Sequence, residues 1–149
     1  MIPITAAALR SSPLEALERL YREAPVGPRP SGRFDGGVLH RVGTPFARSL
    51  TAAAVVAPFE RLSFGIDFER CAWFFVHPRL RLGHFRVEAG RSRWRATQTL
   101  QLHYDVSRLP IRGVLYDEVK PLTETLCLGL GGLNREVGDL FFFVLEARG

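Results

Sequence analysis

The alternation of apolar and polar positions predicts that most of the chain is extended. From Leu62 onwards, apolar runs of strand length are separated by turn residues. The predicted strands are 62–69, 71–77, 81–89, 92–106, 112–120, 124–130 and 139–147. Residues 34–42 add an earlier strand, which gives about eight in total. A meander of this kind closes into an antiparallel up-and-down barrel, so we expect a mainly β fold.

The N-terminal part carries a helix signal. Ser12 is a capping residue, Pro13 suits the first helical position, and Glu15 completes a capping box. Apolar residues at helical spacing then predict an N-terminal helix over 12–24. A loop rich in proline and glycine follows over 25–32.

A second helix is predicted over 46–57, where Pro58 ends it; the alternative is that Val55 and Val56 begin a strand. This order of helices and then strands also permits an α+β cone of the NTF2-like type, which is the alternative to the barrel. A length of 149 residues suits one domain, so we expect a single β-barrel domain over 1–149.

The last predicted strand is apolar on both faces between Leu140 and Leu145. An antiparallel strand with one wet face should alternate, so its second face needs a cover. The helix over 12–24 is the expected cover, and the interface of a homodimer is the alternative.

Composition narrows the class of protein. Hydrophobic residues make up 46% and charged residues 23%, which is typical of a globular protein. No apolar run is long enough to span a bilayer, and the N-terminus has no basic region before its apolar residues. We therefore expect a cytoplasmic protein without a membrane span.

The net charge is +5, and Lys120 is the single lysine among 20 basic residues. Arginines concentrate between residues 79 and 95, but no nucleic-acid-binding module surrounds them. A solvated strand face explains them, so nucleic acid is not an expected partner.

Cys71 and Cys127 lie in apolar surroundings and are predicted to be free buried thiols. The four histidines and both cysteines lack metal-ligand spacing, so we expect neither a metal nor a cofactor.

Two polar clusters interrupt the apolar strands, and a hairpin would make them neighbours. In the first, strand alternation places His103 and Asp105 on the polar face and Tyr104 on the apolar face.

The glycines of residues 128–132 precede no helix and no GK[ST] motif, so they predict a turn and not a phosphate loop.

In the second cluster, Asp117 lies opposite Tyr116 and Glu118 on the predicted strand. A carboxyl group in an apolar interior has a raised pKa and can act as an acid or base near neutral pH. Asp117, Glu118 and Tyr116 are therefore the candidate catalytic residues. The competing interpretation is that the carboxylates only form ion pairs with Arg112, Lys120 or another arginine.

Most of the large aromatic side chains of the strand region must form a packed core. An interior lined by several of them, with one or two polar groups, is also typical of a site for a flat or lipidic ligand. The candidate ligand-binding residues are Trp73, Phe75, Phe85, Trp94, Gln98, Tyr104 and Tyr116.

The C-terminal third resembles bacterial lipocalin-like proteins. The resemblance is carried by Asp117-Glu118-Val119, by Leu126 to Gly129 and by Phe141 to Glu146, without a GxW motif near the first strand. It implies a calycin-type barrel and a small hydrophobic ligand, and it assigns no catalytic residue.

The sequence therefore predicts binding of a small hydrophobic molecule, such as a lipid, a polyketide or an aromatic metabolite. An isomerase, cyclase or dehydratase on the same barrel is one alternative. A filled barrel with a structural or dimerising role is the other.

Overall fold

The computed structural model describes residues 4–42, 50–108, 113, 115–133 and 138–148. Three helices lie in these ranges: α1 (Ala6–Ser11), α2 (Leu14–Glu23) and α3 (Leu50–Arg61). The described strands are β1 (Arg33–Arg41), β2 (Phe64–Asp67), β3 (Ala72–Phe75), β4 (His77–Leu82), β5 (Arg86–Arg91), β6 (Gln98–His103), β7 (Leu115–Pro121), β8 (Leu126–Leu133) and β9 (Gly138–Ala147).

All nine strands form one sheet in the order β4-β3-β2-β1-β9-β8-β7-β6-β5, and every neighbouring pair is antiparallel. The first and last strands pair with each other, so β4 and β5 form the two edges. Only residues 83–85 connect these edges, and four Cα steps span at most about 14 Å. The sheet therefore curls into a half-barrel, and the predicted mainly β antiparallel fold is confirmed.

The curled sheet has two apolar faces. The inner face carries alternate residues of β9, including Phe141 and Phe143, together with side chains of α3. The outer face carries Phe142 and Val144, which pack under α1 and α2 with Tyr21. The prediction that an N-terminal helix covers the second face of the last strand is confirmed.

The N-terminal helix differs from the prediction at its start. Residues 6–11 form a separate short helix, and the Ser12 hydroxyl donates to the carbonyl of Ala8 at 2.7 Å instead of capping α2. The second helix follows Pro13 without a side-chain cap and ends at Glu23. Ser12 is unavailable as a cap because it completes the end of the preceding helix.

The predicted end of the second helix at Pro58 is wrong. Pro58 lies inside α3, which continues to Arg61, and its carbonyl accepts a hydrogen bond from the Leu62 amide at 2.9 Å. Proline removes a hydrogen bond to the carbonyl four residues earlier, that of Ala54. Ala54 is exposed, so water can solvate this carbonyl. Residues 46–49 of the predicted helix lie outside the described residues.

Several predicted strands are shorter than expected: 62–69 is reduced to β2, and 71–77 is reduced to β3, with His77 already in β4. The segment 81–89 is divided between β4 and β5 because Gly83 adopts a φ of 64°, in the left-handed region. In the segment 92–106, residues 92–97 form a bend closed by a 2.8 Å hydrogen bond from the Ser92 amide to the Thr97 carbonyl. The alternation therefore applies only from Gln98 to His103.

The glycines predicted to form a turn lie inside β8. Gly129 and Gly131 face the rings of Phe143 and Phe141, where an added Cβ would come within 2.2 Å and 2.6 Å of ring carbons. Glycine is needed in this strand because two aromatic rings occupy the space that a side chain would fill. Both cysteines are free, as predicted, although Cys71 is only partly buried.

Candidate functional site

A cavity of about 160 Å³ lies on the inner face of the sheet, next to the connection between β4 and β5. Its wall is almost entirely apolar, with one carboxyl group, and it is partly open to solvent. The lining residues are Phe59, Trp73, Phe75, Leu82, Gly83, Tyr104, Leu115 and Asp117.

Strand register and one helix bring these side chains together. Trp73 and Phe75 point to the same face of β3 because they are two residues apart. Trp73 lies opposite Leu82 of β4, and the ring of Phe59 from α3 meets those of Trp73 and Phe75 at centroid distances of 5.5 Å. On the other side, β7 supplies Asp117, opposite Leu102 of β6.

A chain of hydrogen bonds crosses the polar part of the wall. The Trp73 indole nitrogen donates to the Tyr104 hydroxyl at 2.5 Å, and that hydroxyl donates to Oδ2 of Asp117. The amide of Gly132 donates to Oδ1 of Asp117 at 3.3 Å. The carboxyl group is thus held in a fixed orientation at the cavity.

Burial controls the protonation of the two titratable groups in this hydrogen-bond chain, Tyr104 and Asp117. It raises the pKa of Asp117 to about 7, against the opposing effect of the hydrogen bonds from Tyr104 and Gly132. The pKa of Tyr104 is well above its ordinary value, first because of burial and then because of the Asp117 charge. Near neutral pH, Tyr104 therefore stays protonated, while Asp117 exchanges between its neutral and charged forms.

The neighbouring carboxylate, Glu118, lies on the opposite face of the sheet and is completely buried. It accepts hydrogen bonds from the Tyr21 hydroxyl at 2.8 Å, the Ser92 hydroxyl at 2.6 Å, the Arg93 amide at 2.7 Å and the Tyr116 hydroxyl at 2.7 Å. These four donors occupy both carboxylate oxygens. Glu118 therefore joins α2 to the sheet and is not directed at the cavity.

Lys120 lies on the same outer face and extends this polar cluster. Its ammonium group donates to the carbonyl of Tyr21, to the carbonyl of Ala24 at 2.8 Å and to the Thr97 hydroxyl at 2.5 Å. Burial lowers the pKa of Lys120. These contacts fix the end of α2. Neither Asp117 nor Glu118 forms an ion pair with Lys120, which was one of the pairings proposed as the alternative to a catalytic role. Arg112, another of those partners, lies outside the described residues.

The structure distributes the predicted site residues over both faces of the sheet. Trp73, Phe75, Tyr104 and Asp117 line the cavity. The others lie elsewhere: Phe85 in the inner core beside Tyr104, Trp94 and Tyr116 in mutual ring contact on the outer face, Glu118 beneath α2, and Gln98 exposed at the start of β6. The bend at 92–97 removes Trp94 from the alternation on which its prediction depended.

The remaining polar residues of the first cluster lie outside the cavity. Asp105 is exposed and forms an ion pair with Arg86 at 3.3 Å, as the polar-face prediction implies. His103 is partly buried, because its ring contacts Tyr116 and it shares a 2.9 Å hydrogen bond with Gln101.

Sequence reasoning missed half of the lining, namely Phe59, Leu82, Gly83 and Leu115. Phe59 follows Pro58, at which the helix was predicted to end. Leu82 and Gly83 were placed inside one continuous strand. The glycine, as a strand breaker, was the available signal for a change of direction at that point.

Among the described residues, no group of three or more histidine, cysteine, aspartate or glutamate side chains could hold a metal ion. Within the same residues, no helix is long and apolar enough to cross a membrane.

Comparison with protein-family models gives no match, and no curated protein matches the sequence. One solved structure does match, described as "Crystal structure of protein from Thermomonospora curvata". The two chains are 18% identical, the match covers 96% of this chain and 93% of that one, and the TM-score is 0.52. At this identity the likeness shows a shared fold and nothing about activity.

Proposed function

We propose that the protein binds a small apolar or aromatic molecule in the cavity bounded by Trp73, Phe75 and Tyr104. The observation that carries the proposal is an apolar void of about 160 Å³ with one hydrogen-bonded carboxyl group, Asp117, in its wall. Cavities of this composition, in which a few polar groups fix the orientation of an apolar ligand, are typical of small-molecule sites. The lipocalin-like resemblance of the C-terminal third points to the same class of function.

Cavity volume limits the ligand. A dry cavity of roughly 150 Å³ binds benzene, whereas sites for drug-sized ligands occupy roughly 300–1,000 Å³. A volume of about 160 Å³ therefore favours one substituted ring over a lipid or a polyketide chain. A ligand of this size places its ring among the aromatic side chains and its polar group at Asp117.

The two tryptophans of the chain provide a direct test. Trp73 forms part of the cavity wall, while Trp94 lies on the opposite face and serves as an internal control. Titration with phenol, followed by the indole N–H signals in NMR spectra, should shift the Trp73 signal in a saturable manner and leave the Trp94 signal in place. A Trp94→Phe variant assigns the two signals. Equal shifts of both signals, or none, would contradict the proposal.

A variant that fills the cavity strengthens this test. Leu115→Trp adds bulk to a partly buried lining residue and should abolish the phenol-dependent shift of the Trp73 signal. Leu80→Trp adds the same bulk at an exposed residue of β4 that does not line the cavity. Phenol binding by this control should match that of the original protein. Retained binding in Leu115→Trp would place the ligand elsewhere.

The second candidate function is proton transfer to or from a bound molecule, as in an isomerase or dehydratase. The observation that favours it is the Asp117 carboxyl group, whose pKa near 7 suits an acid or base at neutral pH. The hydroxyl of Tyr104 beside it can donate a hydrogen bond to a developing negative charge.

The probe for this candidate is 5-nitrobenzisoxazole, whose ring opens when a base removes its carbon-bound proton. Ring opening should follow the ionised fraction of Asp117, so the rate should rise through about pH 7 and be lost in Asp117→Asn. Glu118→Gln removes the adjacent carboxylate on the other face and should retain activity. An Asp117→Asn variant that still binds phenol but shows no loss of rate would exclude this carboxyl group as the base.

A further inference from the structure

A basic groove lies beside the mouth of the cavity. It has a volume of about 510 Å³ and is lined by Arg81, His84 and Arg108, among others. Leu82 and Gly83 line both the groove and the cavity, so the two spaces adjoin at the connection between β4 and β5. Leu82 is 46% exposed and marks the boundary between them.

The described lining of this groove is basic. No described residue of its lining is acidic, and within the described part of the chain neither Arg81 nor Arg108 forms an ion pair or side-chain hydrogen bond. The nearby carboxylate of Asp105 is already paired with Arg86. Arg81 also lines a second cleft, of about 410 Å³, which contains Asp67 and Glu69, whereas Arg108 lines the groove alone.

We infer that the ligand is a small aromatic carboxylate, with its ring in the cavity and its carboxylate in the groove at Arg81 and Arg108. This inference rests on the proposed binding function and adds the charge of the ligand to it. Asp117 lines the cavity but not the groove, so the negative group of the ligand belongs at the mouth. Any group directed at Asp117 must be uncharged, such as a hydroxyl or carbonyl.

The size of the effect follows from the exposure of the two arginines. An ion pair with a partly exposed arginine strengthens binding by about two- to fivefold, and two such pairs together by about tenfold. Salt screens these attractions, so the preference for an anion should shrink as the ionic strength rises.

The test compares benzoate with benzamide, its uncharged analogue, in titrations followed by the Trp73 indole signal. At about pH 6, benzoate is ionised, while Asp117 is mainly neutral because its pKa is about 7. Benzoate should bind about tenfold more tightly than benzamide at low salt. The double variant Arg81→Gln/Arg108→Gln should remove this preference and leave benzamide binding unchanged. Arg79→Gln, on the same strand but lining only the other cleft and not the groove, is the matched control and should retain the preference.

The outcomes separate this inference from the proposed function. If benzamide binds as tightly as benzoate, or if Arg79→Gln reduces the preference as much as the double variant does, the anionic ligand is refuted and cavity binding stands. If benzoate, benzamide and phenol all leave the Trp73 signal unchanged, the proposed function itself fails.

Discussion

Asp117 and Glu118 are adjacent buried carboxyl groups with opposite surroundings. Successive residues of a strand point to opposite faces, so one group enters an apolar cavity and the other meets four hydrogen-bond donors. The alternation in the sequence places the two groups on opposite faces. It does not show which face is inside, because β7 is buried on both faces.

We expect Asp117→Asn to change the pH dependence of stability. The pKa of Asp117 is raised to about 7 in the folded state, so between about pH 4 and pH 7 the folded state holds a proton that the unfolded state has lost. This group therefore lowers the free energy of unfolding as the pH rises through that window, by up to about 4 kcal/mol. Urea denaturation at a series of pH values should show the decline in the original protein and its absence in Asp117→Asn.

Glu118→Gln is the matched comparison for that experiment. Its carboxylate accepts four hydrogen bonds, and an amide replaces one accepting oxygen with a donor that faces other donors. We expect the free energy of unfolding to fall by about 2–4 kcal/mol at neutral pH. A gain in stability from this substitution would contradict the surroundings described for Glu118.

At the scale of elements, α2 is held on the sheet by an apolar face and a polar anchor. Leu17 and Tyr21 are buried against the outer face of β8 and β9, while the Tyr21 hydroxyl bonds Glu118 at 2.8 Å and Thr99 at 2.9 Å. Helical spacing in the sequence identifies the apolar face. The anchor could not be predicted, because the partners of the Tyr21 hydroxyl lie 78 and 97 positions away, on β6 and β7.

Tyr21→Phe tests this anchor. Loss of the hydroxyl leaves Glu118 and Thr99 each without one hydrogen-bond partner in a buried site, so the free energy of unfolding should fall by about 1–3 kcal/mol. Amide hydrogen exchange should rise more in α2 than in β9. Tyr116→Phe is the control, since its hydroxyl also donates to Glu118 but lies on the same strand and does not attach the helix. Equal exchange in α2 for both variants would refute the anchor.

The strands were predictable where an extended segment continued without a break, as in β1 and β7, and where a continuous apolar run indicated a strand buried on both faces, as in β9. Prediction failed where local chemistry changes the chain direction: Gly83 divides one predicted strand, and the Ser92 turn shortens another. The Ser92 hydroxyl accepts hydrogen bonds from the amides of Trp94 and Arg95, at 3.1 Å and 2.9 Å. A serine that bonds its own following backbone competes with the strand ladder, and hydrophobic periodicity does not detect it.

At the scale of the whole molecule, β1 pairs with β9, the first described strand with the last, and the open side of the sheet lies between β4 and β5. The candidate site is next to this opening, with side chains from β3 and β4 on one side and from β7 on the other. A meander could be predicted from the sequence. The position of the opening could not, because it depends on which distant strands pair.

The connection between the two edges should control how easily the opening widens. Phe85 fixes it, since its amide donates to the carbonyl of Cys71 at 2.9 Å and its ring contacts Phe68 and Tyr104. Phe85→Leu keeps an apolar side chain but loses the ring contacts, which should cost about 1–2 kcal/mol of stability. Hydrogen exchange should then rise in β4 and β5, which are paired on one side only, much more than in β8 and β9 at the centre of the sheet. A uniform rise across all four strands would mean that the edges open only when the whole sheet unfolds, and the cavity would then have no separate gate at this connection.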